Sequence, residues 1–397
     1  ITVDESIAED ILATQADTAV VVGTVSDYLT AKGDAKLYNI NLPAGVYLQA
    51  QLTTPANADL DYDLYLLDAE GNILTGSDYY TYINGTAGTL PEALGYITSG
   101  DTATYYLYVL ASEGGSVSES FTLDYSVSTA CDSYEIDESV RQALAFTYGA
   151  GGAYIESRNL SSPIDNDWYV ITVPSSRIYD KLKISATTAS TNTCSVEVYQ
   201  NVASEGYQMK RVGSGNTISV SSGKYYIRVS NAKTMENFDD LDIQNYKLSI
   251  TPILKATGIV ITDLKGSEGL NKVVNYPGYG AHFRTQGSGT LTVYGVLTAT
   301  DSSTGVTYAV GGEQINGLYY SPAWEANNTS ANAIRRGTGT TDSSGKFEID
   351  ISLPPGIGVY SYYGSTSTHY FDICGVSVSP SDDSSISASE TIFHLAY

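Results

Sequence analysis

Residues 36–52 read KLYNINLPAGVYLQAQL and residues 167–186 read DWYVITVPSSRIYDKLKISA, so the chain carries one strand–turn–strand pattern twice. Tyr38 aligns with Tyr169, and the proline that ends each first strand follows at the same spacing. Apolar and polar residues alternate on both sides of each turn, which is typical of half-buried β-strands. The repetition predicts two successive β-domains of the same kind.

Two further pairs of strands extend the repeat. TYYLYVL at 104–110 is echoed by KYYIRVS at 224–230, and FTLDYSV at 121–127 is echoed by YKLSITP at 246–252. After residue 253 the strand pattern changes, and its spacing of turns and strands is typical of an immunoglobulin-like or transthyretin-like sandwich. We therefore predict an all-β chain of three tandem β-sandwich domains, two jelly-roll-like repeats and one Ig-like domain, at residues 1–129, 130–252 and 253–397.

The repeats resemble the bacterial pre-peptidase C-terminal domain. In the first copy the resemblance rests on GDAKLYNINLPAGVYLQAQL (33–52), DLDYDLYLLDAEGNIL (59–74), ATYYLYVLAS (103–112) and SFTLDYSVS (120–128). In the second copy it rests on NDWYVITVPSS (166–176), SGKYYIRVS (222–230) and NYKLSITP (245–252), while CSVEVYQ (194–200) lacks the family's Asp run. The resemblance implies a non-catalytic sandwich on a secreted prokaryotic protein. Such domains usually accompany proteases and other exported proteins, and residues 1–397 contain no recognisable peptidase domain.

Charge excludes several classes of partner. The chain has 44 acidic and 20 basic residues and a net charge of −24. Nucleic-acid binding needs a basic face, and anionic membranes repel such a surface. No run of 18 apolar residues occurs, so membrane insertion is not expected. We expect an extracellular or cell-surface protein, after removal of an N-terminal leader.

Catalytic motifs are missing from the sequence. His282, His369 and His394 lie far apart in the last domain, and no metalloprotease or nucleophile-elbow motif is present. We predict that the chain is not an enzyme. A secreted hydrolase with a site assembled across residues 253–397 is the remaining catalytic alternative.

A cation site is predicted on one strand of the first repeat. Asp59, Asp61 and Asp63 alternate in ADLDYDLYL, so their carboxylates share one face. Calcium accepts such oxygens with flexible geometry. The alternatives are a solvated acidic edge and capping of a turn. Weaker versions of the same pattern occur at Asp165 and Asp167 and at Asp239, Asp240 and Asp242.

The joint between the repeats contains CDSYEIDESV at 131–140, which is predicted to begin a short helix. Three cysteines allow at most one internal disulfide, and Cys131 with Cys194 is the favoured pair because both lie in the second repeat. The alternative is that Cys131, Cys194 and Cys374 are small buried thiols. Four sequons mark glycosylation if the host glycosylates this chain: Asn84, Asn159, Asn327 and Asn328.

Aromatic residues cluster in one loop of the last domain. Tyr319, Tyr320 and Trp324 lie beside Pro and Asn in LYYSPAWEANN. Such rings can stack on a sugar face, which predicts a glycan contact. The alternative is that they cover the end of the sandwich or contact another domain.

Strand-like residues at both ends predict assembly contacts. A strand can add to the open sheet edge of another subunit, and head-to-tail repetition then builds a filament. Pairing within the chain's own sheets is the alternative. The candidate assembly residues are Ile1, Val3, Ile392, Phe393, Leu395 and Tyr397.

The leading hypothesis is a structural subunit of an extracellular prokaryotic filament or surface layer. Its partners are other copies of itself, joined by strand pairing and by contacts from the 34 tyrosines. The alternative hypothesis is a secreted carbohydrate-binding or adhesion protein that uses the aromatic loops.

Overall fold

The protein is described by a computed structural model in which the described residues form β-strands and no helix, which confirms the predicted all-β class. Contacts divide the chain into two compact units, residues 1–175 with 181–253 and residues 176–180 with 254–397. The first unit therefore contains both repeats. The described residues are 9–12, 20–57, 59–78, 80–83, 86–87, 90–129, 131–188, 194–202, 208–214, 216–231, 244–267, 270–276, 280–285, 289–321, 334–353, 360–362 and 369–396.

Eleven strands belong to the first repeat: β1 (Glu9–Leu12), β2 (Val20–Asp27), β3 (Ala35–Leu42), β4 (Tyr47–Thr53), β5 (Asp61–Leu67), β6 (Ile73–Ser77), β7 (Tyr80–Ile83), β8 (Thr86–Ala87), β9 (Glu92–Ile97), β10 (Ala103–Glu113) and β11 (Phe121–Ser128). The second repeat has β12 (Leu144–Ala145), β13 (Ala153–Leu160), β14 (Asn166–Val173), β15 (Tyr179–Thr188), β16 (Ser195–Asn201), β17 (Gln208–Ser214), β18 (Thr217–Ser219), β19 (Gly223–Ser230) and β20 (Gln244–Leu254).

The last part of the chain has β21 (Gly258–Gly266), β22 (Leu270–Tyr276), β23 (Gly280–Thr285), β24 (Gly289–Thr300), β25 (Thr307–Ala309), β26 (Gln314–Tyr320), β27 (Ile334–Thr340), β28 (Lys346–Leu353), β29 (Tyr360–Tyr362), β30 (His369–Pro380) and β31 (Ala388–Ala396). No helix in the described ranges has the length and apolar character needed to cross a membrane.

Sheet topology confirms the internal repeat. The first repeat has one sheet in the order β1-β3-β10-β5-β6, and the second has the matching order β12-β14-β19-β16-β17. The opposing sheets also match, as β2-β11-β4-β9 and β13-β20-β15-β18. The aligned tyrosines Tyr38 and Tyr169 occupy equivalent strands and are both fully buried. The repeated sequence therefore encodes the same two-sheet sandwich twice.

One hairpin of the first repeat crosses into the second. Strand β7 pairs in parallel with β17, and β8 pairs with β7, so the hairpin extends the second repeat's sheet to seven strands. Nothing in the sequence pattern predicted this exchange. It joins the two repeats through backbone hydrogen bonds in addition to side-chain contacts.

The second unit has one sheet of β21, β24, β25 and β28 and one of β22, β23, β31, β30, β26, β27 and β29. Its alternation is clearest in KFEIDISL of β28, where Phe347, Ile349, Ile351 and Leu353 are buried and the intervening residues are exposed. Alternate residues of a strand point to opposite faces, so this strand places one face in the core. The expected sandwich pattern is therefore present in this unit too.

The C-terminal strand lies inside its own sheet. Strand β31 pairs with β30 on one side and with β23 on the other, so both edges of residues 392–395 are occupied. Ile392 is fully buried and Phe393 half-buried. These residues have no free edge for a second subunit, which corrects the prediction of an assembly strand here. Ile1, Val3 and Tyr397 lie outside the described residues, as does the side chain of Leu395.

Candidate metal centre

The outer face of strand β4 is buried against the second repeat. Leu48, Ala50 and Leu52 point into the first repeat's core, so Tyr47 and Gln49 point the opposite way. Both are nonetheless 1% exposed, because residues of the second repeat cover them. A sheet face that would be solvated in an isolated sandwich thus forms the joint between the repeats.

The segment that covers this face is the joint sequence CDSYEIDESV. It forms turns rather than the predicted helix. Its acidic side chains point inward, where they meet polar partners from β4 and from the start of β14. Asp137 and Glu138 are each 1% exposed, and Glu135 is half-buried. In a regular helix Glu135 and Glu138 would share a face, but Asp137 would point about 100° away from Glu138, so the three could not meet at one centre.

Strand β14 supplies two more acids at its beginning. Asp165 and Asp167 are fully buried on either side of Asn166, which is itself buried. Together with the joint segment they form the acidic cluster, which we define as Asp132, Glu135, Asp137, Glu138, Asp165 and Asp167.

Arg158 is the one cationic side chain that the described residues place in contact with this cluster. Its side chain is 0% exposed, and it forms ion pairs with Asp132 at 2.6 Å, with Asp167 at 2.9 Å and with Asp137. A β-bulge between Ile155 and Arg158 produces this inward orientation, and Ser157 within it has φ of 63°. Six carboxyl groups therefore share one guanidinium.

The carboxyl groups form two sets of three that share Glu135. We call Glu135, Glu138 and Asp165 the first triad, and Glu135, Asp137 and Asp167 the second triad. Within each triad one ligand oxygen from every residue lies within 4.8 Å of the others. Two oxygens bound to the same Ca²⁺ ion are at most about 5 Å apart, since each lies about 2.3–2.6 Å from the metal. Each triad therefore has a spacing that a single cation can bridge.

Neutral donors partly satisfy the first triad. The Tyr47 hydroxyl contacts Glu138 and lies 2.8 Å from Glu135 Oε2, and Gln49 Nε2 donates to Glu138 Oε1 at 2.7 Å. Ser161 donates to Asp165 Oδ2 from its hydroxyl at 2.8 Å and from its backbone N–H. Because a phenol carries one proton, Tyr47 can donate to only one of its two carboxyl partners at a time.

Several acceptor oxygens around the first triad receive no hydrogen bond from the described residues. They are Glu135 Oε1, Asp165 Oδ1 and Gln49 Oε1, and in the second triad Asp137 Oδ1 and Asp167 Oδ1 are in the same condition, the latter 2.9 Å from Arg158 Nη2. Buried polar atoms in folded proteins nearly always have a partner. When the carboxyl groups are ionised these oxygens are all acceptors, so a bound cation would satisfy them where another hydrogen-bond acceptor could not.

Electrostatics explains why the cluster needs a cation or protons. Burial, followed by the charge of Asp165, raises the pKa of Glu135 to about 8. Burial also raises the pKa of Glu138, and the charges of Asp165 and Glu135 add to that effect. For Asp137 and Asp167 the pKa is raised by burial and by a neighbouring Asp, against the opposing effect of Arg158. Ionised carboxylates at this depth cost several kcal/mol each unless they are compensated.

The donor set indicates which metal fits. Every available ligand is a carboxylate or amide oxygen, which suits Ca²⁺, Mg²⁺ or Mn²⁺ rather than a soft transition metal. Magnesium usually keeps several of its waters and demands octahedral geometry, whereas calcium accepts six to eight oxygen ligands, from protein and water, with flexible geometry. A buried, carboxylate-rich centre of this kind fits calcium best.

The three aspartates first predicted to bind calcium lie elsewhere. Asp59 is exposed, Asp61 half-buried and Asp63 nearly buried on β5, and these three do not form a set close enough to share an ion. Burial and the neighbouring Asp61 raise the pKa of Asp63 to about 6. By contrast, Asp165 and Asp167, predicted as a weaker version of the pattern, both lie in the acidic cluster. Asp239, Asp240 and Asp242 are outside the described residues.

One of the three residues predicted to contact a glycan is buried. Tyr319 is fully buried in the second unit's core, and its hydroxyl lies 3.0 Å from Cys374 Sγ. It is therefore not available to a sugar at the surface. Tyr320 is half-buried, and Trp324 is outside the described residues.

All three cysteines are free thiols, against the favoured pairing of Cys131 with Cys194. Burial, with Asp167 nearby, raises the pKa of Cys194 to about 12, and burial with Glu135 nearby raises the pKa of Cys131. Both thiols therefore lie near the acidic cluster. Of the sequons, Asn159 is half-buried on β13, and Asn84, Asn327 and Asn328 are outside the described residues.

Sequence reasoning missed most of this centre. The signal for Glu135, Asp137 and Glu138 was a dense acidic run at a domain joint, which resembles an ordinary solvated linker. Nothing in the sequence indicated that Arg158 belongs to this site, because only the bulge in β13 turns its side chain inward. Tyr47 and Gln49 alternate with the core residues of β4, which in an isolated sandwich would place them on a solvated face.

Comparison with known proteins finds only distant or partial similarity. No family model matches the chain. A Bacillus subtilis protein, uncharacterized protein YlqB, is 36% identical over 74 residues, which are 19% of this chain and 46% of that protein. The match thus spans about half of the relative's length, and no activity is named for it.

The chain is similar to several solved structures, but only at low identity and low TM-score. An Aeromonas hydrophila periplasmic inhibitor of g-type lysozyme is 9% identical, with a TM-score of 0.21, over 30% of this chain and 96% of that one. The tandem CBM22 domains of Paenibacillus barcinonensis Xyn10C are 10% identical, with a TM-score of 0.17, over 60% and 92%. The Bacillus licheniformis lipase BlEst2 in its propeptide form is 9% identical, with a TM-score of 0.20, over 85% and 44%. Likenesses this distant indicate no function.

Proposed function

We propose that this chain is a non-catalytic structural module of the cell exterior, in which a calcium ion bound by the acidic cluster locks the two repeats together. The observation that carries the proposal is the imbalance of six carboxyl groups, those of Asp137, Glu138, Asp165 and Asp167 being fully buried, against the single guanidinium of Arg158. The unpartnered oxygens around the first triad support it independently.

The position of the cluster explains what the ion would do. Tyr47 and Gln49 come from the first repeat, whereas Glu135, Glu138 and Asp165 come from the second. An ion in the first triad would offset the repulsion between these carboxylates of the second repeat. The carboxylates lie at the surface against which the first repeat packs. Binding would therefore stabilise the joint as well as the second repeat.

The chemistry of such sites supports an exterior location. Extracellular calcium modules work with dissociation constants of about 10⁻⁴–10⁻³ M, which match the calcium outside cells. A strongly acidic surface keeps such a protein soluble. Assembly into a filament or surface layer stays a prediction, and it must use contacts other than exchange of strand β31.

Thermal unfolding with and without calcium tests the proposal. Binding at 100 times the dissociation constant stabilises a protein by about 2.7 kcal/mol, which corresponds to a rise of roughly 5–10 °C in Tm for a unit of this size. We expect this rise in the wild type and in the control Glu156→Gln, whose exposed carboxylate pairs with Lys247. We expect it to be absent in Glu138→Gln. A wild-type Tm that calcium does not change would contradict the proposal.

A further inference from the structure

We propose that Arg158 is a built-in substitute for a second metal ion, so that the acidic cluster binds one calcium in the first triad and none in the second. This inference rests on the proposed function. It adds how many calcium ions the acidic cluster binds, and it names Arg158 as the residue that determines that number. The observation behind it is that two triads of similar spacing share Glu135, but only one of them contains a cation of the protein's own.

The second triad already has a cationic partner. Arg158 Nη2 contacts both Asp137 and Asp167, and Nη1 reaches Asp132 Oδ1 at 2.6 Å. Three carboxyl groups thus converge on one guanidinium, as they would on a metal ion. A cation added to this triad would lie within a few ångströms of the guanidinium and would be repelled by it.

The first triad has no such cation among the described residues. Its hydrogen-bond donors are the neutral groups of Tyr47, Gln49, Ser161 and the Asn166 backbone N–H. Oxygens without a hydrogen bond occur in both triads, on Glu135 and Asp165 of the first and on Asp137 and Asp167 of the second, but only in the second does Arg158 lie within ion-pair distance. The first triad is therefore where a positive charge is still needed.

The structure holds Arg158 firmly in the second triad. Its Nε donates to the Tyr169 hydroxyl at 2.7 Å, and the guanidinium lies 5.1 Å from the ring centre of Tyr134 and 5.4 Å from that of Tyr169. Tyr169 in turn lies 2.6 Å from the Tyr246 hydroxyl, which donates to Asp167. Because the side chain is fixed on every edge, a metal ion cannot displace it without breaking these contacts.

Calorimetric titration with calcium chloride at physiological ionic strength tests the inference by counting sites. We expect one site in the wild type and two in Arg158→Met, because the vacated triad then has the charge and spacing for a second ion. The control Arg211→Met removes an arginine that pairs with Glu197 outside the cluster, and it should keep one site.

A second variant covers the case in which Arg158→Met does not fold. The triple variant Arg158→Met, Asp137→Asn, Asp167→Asn removes the positive charge and two negative charges together, and it should fold and bind one ion. Two sites in the wild type, or one in folded Arg158→Met, would overturn the inference while leaving the proposed function intact. If only the triple variant folds, any count other than one overturns the inference. No site in the wild type would overturn both.

Discussion

The Tyr47 hydroxyl lies 2.8 Å from Glu135 Oε2 and also contacts Glu138, so one side chain of the first repeat reaches two acids of the second. Burial and the charge of Glu138 raise the pKa of this phenol well above its usual value, so it remains a donor. This contact places the joint between the repeats and the candidate metal centre at the same point in the molecule.

Replacing Tyr47 with Phe should therefore weaken the joint. A hydrogen bond to a charged group contributes about 1.5–3 kcal/mol, and we expect a loss of this size in the free energy of unfolding in calcium-containing buffer. Chemical denaturation measures it. Tyr154→Phe is the matched control, since Tyr154 is 62% exposed. Equal effects of the two substitutions would contradict the assigned role.

Gly95 is required for the close approach of the two repeats. A Cβ at this position would lie 2.6 Å from Glu138 Cγ, 2.7 Å from Ile136 Cγ2 and 2.8 Å from the Tyr47 hydroxyl oxygen. Gly95→Ala should therefore destabilise the first unit by about 1–3 kcal/mol, the usual cost of overpacking.

Gly375→Ala provides the control for this prediction, because it changes a strand glycine with no atom within 4 Å of the added carbon. It should leave the midpoint of denaturation nearly unchanged. If Gly95→Ala is as well tolerated as Gly375→Ala, the packing described at the joint is wrong.

The calcium-free protein should lose stability as the pH rises. A glutamate has a pKa of about 4.3 in an unfolded chain, and burial raises that of Glu135 to about 8. The folded state therefore binds more protons than the unfolded state between these values, and stability falls with increasing pH across this window. Calcium should flatten the dependence by stabilising the ionised carboxylates. Denaturation midpoints measured across this range, with and without a chelator, test this. A calcium-free protein whose stability rises with pH would contradict it.

Ionisation of Asp63 is expected to make the stability of the fold depend on pH in a way that does not involve the metal. Its pKa of about 6 exceeds the unfolded value of about 3.9, so its ionisation destabilises the fold as the pH rises through that interval. Asp63→Asn should gain stability relative to wild type at neutral pH and not at acidic pH.

Asp68→Asn is a control for which the expected change in stability at neutral pH has the opposite sign. Hydrogen bonds from Asn72 lower the pKa of Asp68, so its ionised form stabilises the fold. This substitution should lower stability at neutral pH. Identical pH profiles for the two variants would show that burial does not control Asp63.

The fold could be predicted from the sequence because local alternation determines it. In β28 every second residue is buried, and the duplicated Tyr38 and Tyr169 occupy equivalent strands. The β7–β8 exchange could not be predicted, since it depends on which sheet edge lies nearby in the folded unit. Strand β31 likewise has the sequence of an edge strand but is paired on both sides.

The candidate metal centre was less predictable than the fold. Asp59, Asp61 and Asp63 have the spacing of a ligand set, but a strand keeps alternate residues about 7 Å apart along one face. The acidic cluster instead gathers residues from a turn segment, a strand start and a bulge. Only Asp165 and Asp167 could be suggested from spacing, because the contribution of Arg158 depends on a local irregularity of β13.

The calcium content of the purified chain after equilibrium dialysis tests the central claim most directly. Elemental analysis by plasma mass spectrometry should find one calcium per chain in the wild type and essentially none in Glu138→Gln, Asp165→Asn, while Glu156→Gln keeps one. A wild-type chain that retains no more calcium than the double variant would contradict the account.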